Sequence, residues 1–212
     1  MPRYSMVIDL NRCVACQACV VACNMENNTP HSTPESFRDK KMALRTRVVP
    51  LAREGKFPNF KVDIYPVLCN QCENPACVAA CPTGASYKRD DGIVLIDWDK
   101  CIGCRYCMAA CPYGARNLIL TEEPKPYHNP AAIPPGNDAS RPPAGKVDKC
   151  TFCAHFVDQG GQPACVIACP AEARIFGDIN DPKSPVSVAL AERKGLVLRP
   201  DFGTRPTVYY VK

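Results

Sequence analysis

Short apolar runs separated by turn residues dominate this chain, and they predict small strands. Residues 6–9, 62–65, 93–96 and 207–211 each combine β-branched, aromatic or long apolar side chains over a few positions. The sequence Asp-Asp-Gly at positions 90–92 is a turn signal directly before the third of these runs. The pattern therefore predicts strands joined by tight turns.

One helix is predicted near the C-terminus. Pro185 follows Ser184 at the first helical position, and Gly195 would lie just past the last turn. Residues 121–147 differ from the rest, because seven prolines in this stretch forbid regular secondary structure. Two interpretations of the stretch remain open, a long surface loop or partner-binding arm and a disordered insertion.

The sixteen cysteines form four quartets, and no cysteine lies outside them. In the first and third quartets, three cysteines follow one another with two residues between them, and a fourth comes after three more residues. The second, third and fourth quartets end in Cys-Pro. This spacing is typical of loops that bind [4Fe–4S] clusters. It predicts four such clusters and a chain that conducts electrons. The quartets are Cys13, Cys16, Cys19, Cys23; Cys69, Cys72, Cys77, Cys81; Cys101, Cys104, Cys107, Cys111; and Cys150, Cys153, Cys165, Cys169.

The quartets are expected to work in pairs. In two-cluster ferredoxins, the fourth thiolate of such a run ligates the other cluster of the pair. Gly103, inside the third quartet, would let the backbone approach an inorganic sulfide. Residues 69–120 hold two quartets with a turn and a strand between them, which is one complete two-cluster module. The first and fourth quartets would then form a second module that is split in sequence.

The predicted fold class is therefore α+β, with two pseudo-symmetric ferredoxin-like modules interleaved in sequence. The predicted divisions are a split module (1–30 plus 148–180), a continuous module (66–120), an insertion (31–65), the Pro-rich arm (121–147) and a C-terminal tail (181–212).

Disulfides and structural zinc are the two alternatives for so many cysteines. A disulfide scaffold is typical of much smaller secreted domains, and Cys-x-x-Cys-x-x-Cys would strain local pairing. Zinc sites use two separated cysteine pairs, whereas the first and third quartets hold three thiols within seven residues. The spacing favours iron–sulfur clusters over both.

Charge supports the same interpretation. The formal net charge is +5 with neutral cysteines. Four oxidised clusters with about −2 each would bring it to about −3. The basic residues near the cysteine loops are thus expected to be counter-charges, and no basic run or RNA-binding motif predicts a nucleic-acid partner. These residues are Arg12, Lys100, Arg105, Arg116, Lys149 and Arg174.

A substrate site of the chain's own has little support. The three histidines, His31, His128 and His155, are scattered, and no nucleotide-binding loop or nucleophile motif is present. His155, close to Cys153, would either tune a cluster, face a quinone or form a structural hydrogen bond. No catalytic residue is predicted. No apolar run is long enough to span a membrane, and no secretory signal is expected at the N-terminus.

Beyond the cysteines, the sequence resembles the four-cluster electron-transfer (beta) subunits of molybdopterin oxidoreductases over nearly its whole length. It looks most similar to the polysulfide, thiosulfate, tetrathionate and arsenate reductase group. In the nitrate reductase branch a tryptophan replaces the cysteine that corresponds to Cys104, so here four [4Fe–4S] clusters are expected. The segments that carry the resemblance are residues 6–9, 23–27, 75–77, 150–155, 174–178, 181–182 and 203–206.

This resemblance implies four ligand sets in a line. It also implies a molybdopterin catalytic partner beside set I and an integral-membrane, quinone-reactive partner beside set IV. A formate dehydrogenase or hydrogenase complex is the alternative context. Association with a membrane through these partners, at the periplasmic face, is favoured, with the cytoplasm as the alternative. The sets are set I, Cys13, Cys16, Cys19 and Cys169; set II, Cys150, Cys153, Cys165 and Cys23; set III, Cys69, Cys72, Cys77 and Cys111; and set IV, Cys101, Cys104, Cys107 and Cys81.

Overall fold

The computed structural model describes residues 1–29, 43–120 and 142–212. Short helices and strands make up these ranges, often with two strands in succession. The elements are β1 (Tyr4–Asp9), α1 (Ala18–Glu26), β2 (Thr46–Lys56), β3 (Asn59–Leu68), α2 (Ala76–Ala79), β4 (Ser86–Lys88), β5 (Val94–Ile96), α3 (Tyr106–Ala109), β6 (Arg116–Leu118), β7 (Val147–Lys149), α4 (Ala154–Val157), α5 (Ala164–Ile167), β8 (Arg174–Asp178), α6 (Pro185–Glu192) and β9 (Val208–Val211), with a 3₁₀ turn at Pro200–Phe202. The fold is thus a mixture of helices and strands, as the sequence predicts.

The four predicted strands coincide with β1, β3, β5 and β9, although β3 is longer than predicted. The predicted helix begins at Pro185, but its predicted end at Gly195 is wrong, because α6 ends at Glu192. Arg193 already has an extended backbone, with φ −138° and ψ 140°. Gly195 instead packs against the helix, where a Cβ would lie 2.6 Å from Leu190 Cδ2. Most of the predicted Pro-rich arm, residues 121–141, lies outside the described residues.

A three-stranded sheet in the order β8-β1-β9 forms the centre of the fold. β1 pairs antiparallel with β8 and parallel with β9. Met6, Val7 and Ile8 are fully buried, since β1 is covered on both faces. The pairing of Val7 with Ile175 brings the strand before the first quartet against the strand after the fourth.

The described residues also form three two-stranded antiparallel sheets. β4 pairs with β5 between the second and third quartets. β6 pairs with β7, which places Arg116 opposite Lys149 and joins the end of the third quartet to the start of the fourth. The third pair, β2 with β3, is a long hairpin.

The β2–β3 hairpin was predicted only at residues 62–65, inside the insertion. In the structure it extends from Thr46 to Leu68 and thereby crosses the predicted boundary before residue 66. Arg47 of β2 donates hydrogen bonds to the carbonyls of Gly114 (2.9 Å) and Tyr113 (3.0 Å). The hairpin is thereby held against the loop that follows the third quartet.

The end of β1 is fixed by the buried carboxylate of Asp9. This carboxylate accepts a 2.6 Å hydrogen bond from Arg193 and bonds from the amides of Asn11 (3.0 Å) and Arg12 (3.3 Å). Burial alone would raise the pKa of Asp9, but these hydrogen bonds hold the pKa below its usual value. One side chain therefore holds the start of the first cysteine loop and the end of α6 together.

We expect Asp9→Asn to destabilise the protein by about 2 kcal/mol, because a buried charge-assisted bond is lost. In a chain of this size the midpoint of anaerobic thermal unfolding should fall by about 4 to 8 °C. Arg199→Gln is the matched control, since Arg199 and Asp201 form a pair that is exposed on both sides. Equal shifts in the two variants would contradict the role assigned to Asp9.

Candidate iron–sulfur centres

The cysteine loops share an unusual backbone conformation. In the first quartet, Ala15 and Gln17 have φ of 56° and 64°, and in the third, Gly103 and Arg105 have φ of 68° and 66°. Left-handed residues other than glycine are costly and tend to be found at functional sites. The loops of the first and third quartets therefore have the same tightly curved backbone conformation at equivalent positions.

Gly103 has a steric reason to be glycine besides the one predicted from sequence. A Cβ at this position would lie 2.2 Å from the carbonyl oxygen of Gly145. The backbone of the third cysteine loop therefore passes directly against the chain that leads into β7.

Three cavities are each lined by four cysteines. Their volumes are about 330 Å³ for the cavity lined by set I, 340 Å³ for that lined by set III and 310 Å³ for that lined by set IV, all counted with their openings to solvent. In each cavity three cysteines come from one quartet and the fourth comes from another. The structure thus brings Cys169 to the first quartet, Cys111 to the second and Cys81 to the third.

The four cysteines of set II are also close together, and all are buried. Burial raises the pKa of Cys23 well above its usual value, and the neighbouring Cys150, Cys165 and Cys153 raise it further. The side-chain amide of Asn27 lies 3.7 Å from Cys23 Sγ and 3.9 Å from Cys153 Sγ. The structure therefore brings together the same four groups of cysteines that the sequence resemblance implies.

Buried thiols in such groups resist ionisation. Burial raises the pKa of Cys150 and Cys72 to about 12, and neighbouring thiols contribute in the same direction. Burial likewise raises the pKa of Cys153 and Cys165 to about 11. Four adjacent thiolates are stable here only if a strongly cationic group binds among them, which is the chemistry that iron supplies.

The four cysteines of each cavity supply only thiol sulfur as donor atoms. In the residues that the structure describes, no three Cys, His, Asp or Glu side chains converge on a point that would suit one metal ion. Four thiols are instead spread around each cavity, and they are all soft sulfur ligands. This donor set fits a polynuclear iron–sulfur cluster.

Of the six predicted counter-charges, three are buried beside thiols and a fourth, Arg105, lines the cavity of set IV. Arg174, Arg116 and Lys149 are buried. Arg12 pairs with Glu172 at 3.1 Å and Lys100 with Asp97 at 2.9 Å, both at the surface. Arg105 is exposed. The prediction was therefore wrong for Arg12 and Lys100, because nearby carboxylates neutralise them.

Sequence reasoning missed a buried ion pair beside set II. Arg45 and Asp148 form two hydrogen bonds of 2.7 and 2.9 Å, and Arg45 also donates to Asn27 at 2.5 Å. Burial alone would lower the pKa of Arg45, but Asp148 and nearby thiols raise the pKa above its usual value. Neither residue belongs to a cysteine motif, and no periodic pattern in the sequence marks them.

His155 has a structural partner. Its Nε2 lies 2.8 Å from Glu26 Oε1, and both side chains are half-buried. His31 and His128 lie outside the described residues.

Comparison with known proteins identifies the class to which this site belongs. Residues 9–85, 60–122 and 93–170 each match a 4Fe-4S dicluster domain. The chain is therefore a ferredoxin-like protein that holds multiple [4Fe–4S] clusters.

Relatives with known names match the whole chain. It is 44% identical to the iron–sulfur subunit of a candidate dimethyl sulfoxide reductase from Halobacterium salinarum, covering 100% of this chain and 79% of the relative. It is 41% identical to the B subunit of sulfite dehydrogenase from Allochromatium vinosum (100% and 83%) and 40% identical to the B subunit of tetrathionate reductase from Salmonella typhimurium (99% and 72%). The chain belongs to this family of iron–sulfur electron-transfer subunits.

None of the helices in the described ranges is long and apolar enough to cross a membrane.

Anaerobically purified protein should contain about 16 irons and as many acid-labile sulfides per chain, because each of four clusters holds four of each. The brown colour should bleach with dithionite. Elemental analysis and visible absorption measure both. Stoichiometric zinc without iron would contradict the assignment.

Proposed function

We propose that sets I to IV each hold one [4Fe–4S] cluster and that the clusters lie in the order I, II, III, IV. When bound, these clusters accept and pass on single electrons. Close approaches between neighbouring sets support the order. Arg174 contacts both Cys19 of set I and Cys165 of set II, at 3.4 and 3.7 Å. Cys150 of set II interacts electrostatically with Cys69 of set III.

Set III approaches set IV through Arg116. This guanidinium lies 2.9 Å from Cys77 Sγ and donates a 2.8 Å hydrogen bond to the hydroxyl of Ser86, which lines the cavity of set IV. Each link joins one set to the next, so the contacts support a single line without branches.

Solvent exposure distinguishes the two ends of this line. Cys16 of set I and Cys104 of set IV are the only exposed ones among the sixteen cysteines. Val14 and Ile102, beside them in equivalent loop positions, are 69% and 67% exposed. All cysteines of set II are buried. The terminal loops are thus the places where electrons would enter and leave, and their apolar side chains suit contact with partner subunits.

The function that follows is electron transfer between a molybdopterin catalytic subunit at set I and a quinone-reactive membrane subunit at set IV. The relatives support this function, because their names describe subunits of reductases and of a dehydrogenase. The family resemblance supports the identity of both partners and a location at the periplasmic face of the membrane. The single observation that carries the proposal is the exchange of the fourth cysteine between quartets.

The same exchange supports two interleaved ferredoxin-like modules. Cys81 and Cys111 cross within residues 66–120, and Cys23 and Cys169 cross between residues 1–30 and 148–180. The β1–β8 pairing closes the split module.

The crossed ligands can be tested with four serine variants. Cys13→Ser and Cys153→Ser identify the paramagnetic resonance signals of sets I and II in anaerobic redox titrations. Cys169→Ser should then alter the same signal as Cys13→Ser, and Cys23→Ser the same signal as Cys153→Ser. If Cys23→Ser altered the Cys13 signal instead, each quartet would bind its own cluster and the proposed sets would be wrong.

The isolated chain should pass electrons between artificial dyes but reduce no oxyanion or sulfur compound. Its described residues supply cysteine ligands and buried cations near the clusters, and the catalytic chemistry belongs to the partner. Dye-linked assays of the pure chain and of the complex measure this difference. Steady reduction of tetrathionate by the chain alone would refute the proposal, and the copurifying large subunit would identify a formate dehydrogenase or hydrogenase context.

A further inference from the structure

Three buried cations lie between the cysteine sets. Arg116, Arg174 and Lys149 are 4%, 4% and 1% exposed. In the part of the chain that the structure describes, their hydrogen-bond partners are sulfurs, hydroxyls and carbonyls, and no carboxylate is among them. An isolated buried charge is costly, so a negative group must lie nearby.

Arg174 lies between sets I and II. It lines the cavity of set I, and its two terminal nitrogens lie 3.4 Å from Cys19 Sγ and 3.7 Å from Cys165 Sγ. A 3.0 Å hydrogen bond to the hydroxyl of Thr46 holds the guanidinium in place. Burial alone would lower the pKa of Arg174, but the neighbouring thiols raise the pKa above its usual value.

Arg116 occupies the corresponding place between sets III and IV. It lines the cavity of set III and contacts Cys77 Sγ at 2.9 Å. It also donates a 2.8 Å hydrogen bond to the hydroxyl of Ser86, which lines the cavity of set IV. Arg116 and Arg174 both lie five residues after the last cysteine of their quartets, and each donates to one hydroxyl.

Lys149 lies between sets II and III. Its Nζ donates a 2.7 Å hydrogen bond to the carbonyl of Cys150, in set II. It donates a second bond to the carbonyl of Val94, a residue that lines the cavity of set III. Lys149 also pairs directly opposite Arg116 across β6 and β7. Like charges in this position are unfavourable unless negative charge surrounds them.

Arg45 is a buried cation in the same interior whose charge is neutralised by a carboxylate, and it serves as a comparison. It is as deeply buried, but Asp148 balances its charge through two hydrogen bonds. Among the described residues, no carboxylate forms a hydrogen bond with Arg174, Lys149 or Arg116. The difference indicates that their counter-charge is the cluster pair on either side.

We propose that Arg174, Lys149 and Arg116 each raise the reduction potentials of two neighbouring clusters at once, sets I and II, II and III, and III and IV. The inference rests on the proposed cluster sets and adds the residues that tune them. Each reduction adds one electron, and therefore one negative charge, to a cluster. A cation held between two clusters favours the reduced form of both and weakens the repulsion between two reduced neighbours.

The test is an anaerobic redox titration of the complex, followed by paramagnetic resonance, for Arg174→Gln, Lys149→Gln and Arg116→Gln. Each variant should lower two of the four potentials, by at least a tenfold change in the reduced-to-oxidised ratio, which is about 59 mV for one electron. The Arg174 and Lys149 variants should share one shifted signal, as should the Lys149 and Arg116 variants. The Arg174 and Arg116 variants should share none.

Charge-conserving variants separate charge from packing. Arg174→Lys and Arg116→Lys should restore most of the lost potential. The double variant Arg45→Gln with Asp148→Asn is the matched control, because it removes a buried ion pair beside set II alone without changing the net charge, and it should not lower any two neighbouring potentials together. A shift confined to one cluster, equal shifts of all four, or equal effects of Gln and Lys would overturn the inference.

A second pair of variants avoids removing any cation. Ser86→Asp would place a carboxylate where Arg116 now bonds a hydroxyl, and should lower the potentials of sets III and IV together. Ser86→Asn has the same shape without the charge and should not lower them. Equal potentials in these two variants would overturn the inference even if the glutamine variants lost their clusters. Iron content and the presence of four paramagnetic resonance signals in the wild-type protein test the proposed cluster sets. The pairwise shifts in potential test only the role of the three cations.

Discussion

The whole structure depends on burying negative charge. Each cysteine set needs four thiolates in a small, partly enclosed space, and burial opposes their ionisation, as the raised pKa values of Cys72 and Cys150 show. Iron offsets most of this cost, and cationic side chains between the sets offset part of the rest. A protein interior that would otherwise exclude Lys149 therefore accepts it. The largest hydrophobic cluster joins Met6 and Ile8 of β1 to Cys19, Cys69 and Cys165, so the apolar core continues up to the cysteine sets.

The exchange of cysteines also explains how a chain of short elements holds together. β4 to β7 have only three residues each, too few for an independently stable sheet. A cluster in set I would link Cys19 to Cys169, and the β1–β8 pairing closes the same long loop with hydrogen bonds. Ligand binding and strand pairing thus constrain the same distant parts of the sequence, so the fold and the cofactors are expected to be mutually dependent.

The sequence indicated the cysteine loops more clearly than it indicated the arrangement of the strands. Cysteine spacing is a local signal, so it identified the loops around Cys13 and Cys101 without any knowledge of packing. The strand 6–9 was equally clear, because every residue in it is apolar until Asp9. The β2–β3 hairpin was largely missed, since its register depends on contacts such as those of Arg47 with distant carbonyls. The Arg45–Asp148 pair joins residues 103 positions apart, and such a partnership exists only after folding.

The solvent exposure of Cys16 and Cys104 affects how the chain withstands oxidation before its partner subunits bind. Oxidants attack sulfur ligands that they can reach, and Cys16 and Cys104 are the exposed ones. In a newly made, unassembled chain, oxidation would therefore begin at sets I and IV, and set II would be protected longest. Partner subunits that cover Val14 and Ile102 would act as shields as well as contacts. Assembly of the complex would then determine how long the chain survives in air.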